Sequence, residues 1–385
     1  MNAFITAISA FLPGEPVDNE YLDDYLGEVS GISARIRRII LANNGIKTRY
    51  YALDPETGKT THTNAQMTAQ AIRLLRPDTN VSDLLLQSLC CGTSTPDQIM
   101  PAHGSMVHGE LPQTEPCEVV STAGICLSGV TALKFAAMSV ASEITDNAVA
   151  TGSELVSTYL RAQFFQAMSG CTKEKTKKNR HSAFSFEAEF LRWMLSDGAG
   201  AMLIEKKPKK EGVSLQIDWI EIISHAHRLE TCMYAGAVKE KNGNLLGWRE
   251  VTGPGVLEKS GVMTIKQDSR LLNKEIIRAS IAQSLPSVIA KYGLKPTDVD
   301  WFLPHYSSEY FREPLTSQLH DIDFPIPGNQ WFTNLSTKGN TGSASFYIML
   351  EELFSSGRLQ KGEHILGMIP ESGRFSVGWI LLTVV

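Results

Sequence analysis

The sequence predicts an α/β protein with largely parallel sheets, and three observations carry that expectation. Short apolar, β-branched segments alternate with helical patterns along the whole chain, as layered α/β proteins require. Small, polar stretches fall just after those segments, at Cys90-Cys91-Gly92-Thr93-Ser94, Gly124-Ile125-Cys126 and Gly152-Ser153-Glu154. Open α/β sheets bind ligands at the carboxyl ends of their strands. The chain has 385 residues, more than one simple core organises, and its pattern restarts after Lys206-Lys207-Pro208-Lys209-Lys210-Glu211-Gly212. Two halves are therefore expected, 1–208 and 209–385.

Composition narrows the class. Hydrophobic residues make up 43% and charged residues 20%, the balance of an ordinary globular protein. A net charge of −5 gives no reason to expect nucleic acid. Six cysteines at irregular spacing form no disulfide framework, so a reducing, cytoplasmic setting is expected. No run of eighteen apolar residues is present, and no membrane insertion is expected. The first residues lack the basic region of a signal peptide. His103 and His108 are five apart with no acidic or thiol partner at ligand spacing, so no metal is assigned.

The elements follow in order. Residues 4–9 read as a buried first strand, 18–26 as a capped helix with acids in its first turn, and 31–41 as a second helix stopped by Asn43-Asn44-Gly45. Residues 63–75 repeat apolar side chains at helical spacing. Residues 81–89 read as a strand, with Cys90 onward as its loop, and 147–150 as another. Residues 160–192 form a long excursion whose basic run, 173–180, reads as a solvated loop. Residues 271–292 form a long helix that Pro286 kinks. Residues 299–305 are a strand running into His305. Residues 311–319 are helical, 331–334 a short strand, 346–354 a helix, and 362–368 and 376–385 the terminal strands.

The central stretch is Glu118-Val119-Val120-Ser121-Thr122-Ala123-Gly124-Ile125-Cys126-Leu127-Ser128-Gly129, read as strand, tight turn and helix start. A cysteine at a helix N-terminus meets free N–H groups and the positive end of the dipole, which lower a thiol pKa. Cys126 then reads as a nucleophile that carries an acyl group. Taken alone the stretch fits a small buried core cysteine better than a nucleophile. His305 and Asn340 add to it, because a neutral imidazole and an amide can both donate hydrogen bonds to a developing enolate oxygen.

At these residues the chain resembles the β-ketoacyl-acyl carrier protein synthase III branch of the thiolase-like condensing enzymes. Ala123-Gly124-Ile125-Cys126-Leu127-Ser128-Gly129 stands where the family has its nucleophile. Pro304-His305-Tyr306-Ser307 looks like its histidine segment, and Gly339-Asn340-Thr341-Gly342-Ser343-Ala344-Ser345 its asparagine motif. Ser196-Asp197-Gly198-Ala199-Gly200-Ala201 matches the Gly-rich segment and Gly45-Ile46-Lys47-Thr48-Arg49 the early Gly-Ile motif. The spacing also fits: 179 residues from Cys126 to His305 and 35 more to Asn340. The resemblance implies a thiolase-like fold, two similar αβαβα halves in five layers, and a homodimer. It implies a ketosynthase, an acyltransferase with catalytic residues Cys126, His305 and Asn340. Cys126 would be acylated from coenzyme A or an acyl carrier protein, with no further cofactor. A malonyl- or β-ketoacyl-thioester would then attack in a decarboxylative Claisen-type condensation. The N–H groups of Cys126 and of a C-terminal glycine loop would hold the acyl oxygen. Lys47 and Arg49 are expected to meet a phosphate or an acidic carrier protein.

Two departures point to specialised metabolism. The glycine loop is replaced by Glu371-Ser372-Gly373-Arg374-Phe375-Ser376, so Arg374, with Ser372 and Gly373, is expected to bind substrate. The loop resembles that of enzymes forming 2,5-dialkylcyclohexane-1,3-diones, precursors of dialkylresorcinols. The excursion at 160–192 is also longer than a minimal family member needs. The rival readings are an acyltransferase to an alcohol or amine, and a non-catalytic partner subunit, which tends to lose one of the three site residues. A degradative thiolase ranks last, since Cys232, the C-terminal half's one cysteine, is far from the final loop.

Overall fold

The computed structural model describes residues 2–29, 34–76, 85–164, 190–253 and 261–385. Among them, nine strands join one sheet: β1 Phe4–Phe11, β2 Ser88–Thr93, β3 Glu118–Ala123, β4 Asn147–Glu154, β5 Gly198–Glu205, β6 Leu215–Ser224, β7 Trp301–Pro304, β8 His364–Glu371 and β9 Ser376–Val384. Their order is β7-β8-β9-β6-β1-β5-β4-β2-β3. The halves meet where β1 pairs with β6 at Phe4–Gln216 and Ile5–Leu215.

The sheet is mixed, which corrects the expectation of largely parallel sheets. Only β2–β3, β2–β4 and β7–β8 run parallel. The four residues between β8 and β9 permit only an antiparallel return, and β1 runs against both of its neighbours.

Seven helices set the layers: α1 Asn64–Arg73, α2 His103–Gly109, α3 Ser128–Ala141, α4 Ser269–Ile277, α5 Leu285–Tyr292, α6 Arg312–Asp321 and α7 Ser345–Ser355. α1 and α2 cover one face of the first half through Ala65, Ile72 and Val107, packed with Leu89 and Leu203. α3 and α7 lie in the middle, where Val130, Leu133, Phe346 and Leu350 share a core with Ile217 and Ile380. α4, α5 and α6 cover the second half through Leu272, Val288 and Leu315, packed with Phe302 and Trp379. The two parts of the one continuous sheet, joined at β1 and β6, act as two sheet layers, so the order is helix, sheet, helix, sheet, helix: the expected five layers. α7 buries its first six residues, as a helix between two sheets must.

Local chemistry explains other departures. Cys90, Cys91 and Gly92 belong to the wholly buried β2, not to a loop, because cysteine packs as a small hydrophobe. The helix expected over 271–292 is broken by a π turn, Arg278–Ala282, and Pro286 sits in the first turn of α5, where a missing N–H costs nothing. The strand expected over 331–334 reduces to one bridge, Phe302 with Trp331. The basic run at 173–180 and much of the 160–192 excursion lie outside the described residues. No helix among the described residues is long and apolar enough to cross a membrane.

Glycines in the strands let α7 approach the first half. A Cβ on Gly200 would stand 2.3 Å from the Cβ of Tyr347. Gly200→Ala is therefore expected to lower stability by about 1–3 kcal/mol through overpacking. A urea midpoint equal to that of the wild type would contradict this account of the β5–α7 contact.

Candidate active site

Cys126 sits in the turn between β3 and α3, two residues before the helix begins at Ser128. Gly124 takes φ +153 in that turn, a conformation that side chains resist. Ser128 caps the corner, its N–H and hydroxyl both donating to the Ile125 carbonyl at 3.1 and 2.8 Å. The sulfur side of Cys126 faces inward, and the residue is 9% exposed.

His305 follows β7 directly. Its N–H donates to the Met368 carbonyl at 2.8 Å, so the parallel β7–β8 pairing fixes its position. Asn340 is pinned by its backbone to the first half. Its N–H donates to the Met194 carbonyl and its carbonyl accepts from Ser196 N–H, both at 2.9 Å. Gly339 makes this possible with φ +69, since a Cβ there would meet Ser196 Cβ at 2.9 Å. The side-chain Oδ1 of Asn340 accepts from Gly342 N–H at 2.9 Å. That bond commits the oxygen and leaves the amide Nδ2 as the donor of a residue that lines the cleft.

The three residues line one cleft, together with Ser94, Glu154, Gln267 and Ser372. It holds about 840 Å³ of empty space, mouth included, and its remaining wall is mostly apolar: Leu191, Met194, Leu272, Ile276, Phe311 and others. No lysine or arginine among the described residues lines it. Such a cleft suits an uncharged chain attached to a polar reacting end.

The electrostatics differ from the expectation at Cys126. Burial, with Glu154 and Glu371 nearby, pushes its thiol well above the ordinary cysteine range. The backbone N–H of Cys126 acts in the opposite sense but is outweighed. The expected lowering of the thiol pKa is thus corrected to a raising, because desolvation beside two carboxylates, in a cleft with no lysine or arginine among its described lining residues, exceeds what a helix end supplies. Burial also depresses His305 to about 4, so its ring is neutral and offers one N–H donor.

The other expected residues are placed less favourably. Ser372 lines the cleft, and Gly373 packs against Ile125 beside it. The N–H groups of Gly373 and Ser376 donate to the Glu371 carboxylate at 2.5 and 3.3 Å. Of the expected acyl-oxygen donors, the Cys126 N–H bonds its own sulfur, while the loop's Gly373 N–H is taken by Glu371. Arg374 is exposed, its Nε donating to the Leu229 carbonyl at 2.9 Å, and it does not reach the cleft. Arg49 is wholly buried; it donates to the Trp193 carbonyl and to Asn19 Oδ1 at 2.6 Å, behind the Asn340 loop. This corrects the expectation that Arg49 meets a phosphate. Lys47 is exposed, with its N–H on the Ser336 carbonyl. Sequence reasoning missed Glu154 and Glu371. Each is an acid closing a buried strand, β4 or β8, and an acid at the end of an apolar run was the available signal.

The neutrality of His305 has a measurable consequence. The unfolded chain protonates this ring below about 6.5, whereas the folded protein resists protonation until about 4. Its contribution to stability is therefore complete above pH 6.5 and lost as pH falls through that window. His305→Gln should lose less stability than wild type between pH 6.5 and 4, by up to about 1.4 kcal/mol per pH unit. Parallel loss in the two proteins, followed by urea unfolding at several pH values, would contradict the buried neutral ring.

Known proteins share this architecture. Residues 289–374 match the family described as 3-Oxoacyl-[acyl-carrier-protein (ACP)] synthase III C terminal, and residues 114–210 match Beta-ketoacyl synthase, N-terminal domain. The chain is 22% identical over 369 residues to Beta-ketoacyl-[acyl-carrier-protein] synthase III of Rhodospirillum centenum (strain ATCC 51521 / SW), covering 95% of this chain and 94% of that protein. Solved structures share the fold along almost all of both chains. The tetronic acid condensing enzyme AbyA1 aligns with a TM-score of 0.74, 18% identity and 99% of each chain. OleA of Xanthomonas campestris with bound lauric acid and lauroyl-CoA aligns with a TM-score of 0.72 and 17% identity, over 100% of this chain and 99% of that one. The 3-oxoacyl-[acyl-carrier-protein] synthase III of Aquifex aeolicus VF5 aligns with a TM-score of 0.69, 20% identity and 99% of each chain. With Cys126, His305 and Asn340 lining one cleft, the chain shares the fold of these proteins, and its stretches 114–210 and 289–374 are similar to the two synthase families.

Proposed function

We propose that this enzyme loads an acyl group on Cys126 and condenses it with a malonyl- or β-ketoacyl-thioester to form a carbon–carbon bond. The observation that carries the reading is the convergence of Cys126, His305 and Asn340 on one largely apolar cleft with no lysine or arginine among its described lining residues. Acylation breaks the donor's C–S bond, joins its carbonyl carbon to the Cys126 sulfur and releases the donor thiol. The neutral His305 ring and the Asn340 amide then donate to the enolate oxygen of the second thioester. Such preorganised donors in a dry site stabilise charge as it develops. Attack on the acyl carbon breaks its bond to the Cys126 sulfur; a malonyl donor loses CO₂ as its enolate forms, whereas a β-ketoacyl donor loses an α-proton that ends on the released Cys126 sulfur.

The donors are coenzyme A or acyl carrier protein thioesters, as the names of the relatives suggest. Ser372 and Gly373 contact the substrate at the cleft, while exposed Lys47 and Arg374 are open to an acidic carrier protein. With a β-ketoacyl thioester as the second substrate, a second carbon–carbon bond between the two chains closes the ring and gives a 2,5-dialkylcyclohexane-1,3-dione, a dialkylresorcinol precursor. The replaced glycine loop supports this, since the N–H groups of Gly373 and Ser376 are held by Glu371. The enzyme works in the cytoplasm as a homodimer. Among the described residues β3 is an edge strand paired only with β2, and beside it Phe135 and Met138 of α3 are 40% and 50% exposed. An unpaired edge beside apolar surface invites a second copy.

Intact-protein mass after exposure to acyl-CoA thioesters of graded length tests the loading step. Wild type should gain one acyl group and Cys126→Ala none; a folded wild type that takes no acyl group from any donor would end the condensing reading. Light scattering during gel filtration tests the assembly. Wild type is expected at twice the chain mass and Met138→Glu at a weakened dimer, whereas a monomeric wild type at micromolar concentration would remove the homodimer.

A further inference from the structure

The Glu154 carboxylate closes β4 and is 3% exposed. It has no cationic partner among the lining residues of the cleft, yet four donors converge on it. Oε1 accepts from the N–H groups of Ser343 and Ser94 at 3.1 and 3.3 Å. Oε2 accepts from the Ser94 and Thr95 hydroxyls at 2.7 and 2.8 Å. One side chain thus ties the loop after β2 to the loop that carries Asn340. The second contact is steric. Gly342 has φ +53, and a Cβ there would stand 2.7 Å from Glu154 Cγ, so the loop is seated directly on this side chain. Gly342 is also the residue whose N–H holds Asn340 Oδ1.

We propose that Glu154 is the positioning residue of the second half-reaction: through Gly342 and Ser343 it sets where the Asn340 amide stands relative to Cys126. The inference rests on the condensing reading above and adds to it which residue holds the enolate donor in place. A misplacement of about 1 Å at a reacting centre costs about a hundredfold in rate. Loading of Cys126 makes less demand on Asn340, because no enolate forms in that step. A second consequence is electrostatic. The groups around the Cys126 sulfur are Glu154 from β4, Glu371 from β8 and the uncharged His305 at the end of β7, so removing the charge of Glu154 eases ionisation of the thiol.

The test separates the half-reactions in the full-length protein. Loading is followed by intact mass with the acyl-CoA that labels wild type best. Condensation is followed by product formation from the pre-acylated enzyme with malonyl-CoA or a 3-oxoacyl-CoA. Glu154→Gln is expected to slow condensation at least tenfold more than loading, mainly in kcat, and to move iodoacetamide labelling of Cys126 to lower pH. Gly342→Ala keeps the charge, so it should reproduce the condensation defect without moving the labelling profile. Glu154→Asp should recover the labelling profile but only part of the rate. Equal slowing of both half-reactions, or normal condensation in Gly342→Ala, overturns the positioning role. A wild type that loads but condenses with neither nucleophile instead removes the condensing reading, and this inference with it.

Discussion

The site depends on how closely the Asn340 loop can approach the first half of the molecule. The Ser343 carbonyl lies so near α3 and β4 that a Cβ on Gly129 or Gly152 would stand 2.4 or 2.3 Å from it. Real Cβ atoms do not approach that closely, so glycine at both positions is a condition of the fold and not a preference. With them, Ser343 reaches the Ser153 carbonyl at 2.8 Å and Tyr347 reaches the Gly129 carbonyl at 2.8 Å. These contacts join residues about two hundred positions apart. They bring the start of α7 against the start of α3, and Asn340 and Cys126 meet as a consequence.

The polar groups at this junction are buried, which makes their pairing costly to disturb. A buried donor or acceptor that loses its partner costs about 1–3 kcal/mol, and a charged one more. Glu154 resolves its own burial by gathering hydroxyl and backbone donors from two loops. Asp197 does the same behind the site, accepting from the N–H groups of Ala52 and Ser157 at 2.8 and 2.9 Å. Arg49 completes the support by donating to the Trp193 carbonyl beneath Gly339. The face of the cleft that carries Asn340 is thus mounted on a satisfied polar network, while the rest of the cleft wall is mostly apolar.

The resting electrostatics follow from the same burial. A buried thiol beside two carboxylates stays protonated, and a buried imidazole without a carboxylate partner stays neutral. In the condensing mechanism proposed above, substrate binding would supply the conditions for thiol ionisation. The replaced glycine loop fits this balance. Its N–H groups serve Glu371 rather than a ligand, which leaves Arg374 on the surface.

Much was legible from the chain alone. The small residues around Cys126, the strand that delivers His305 and the Gly-Asn-Thr-Gly-Ser-Ala-Ser run are local patterns, set by turn geometry and periodicity within a few residues. The five-layer arrangement was legible through resemblance, since alternation of strands and helices does not distinguish parallel from mixed sheets. Tertiary structure decided what depends on distant neighbours. It made Cys90 and Cys91 core residues, put Arg49 in the interior and Arg374 outside, and reversed the direction of the Cys126 pKa. It also revealed Glu154 and Glu371, because a carboxylate's role is fixed by the donors that surround it, and those donors come from segments the sequence does not place together.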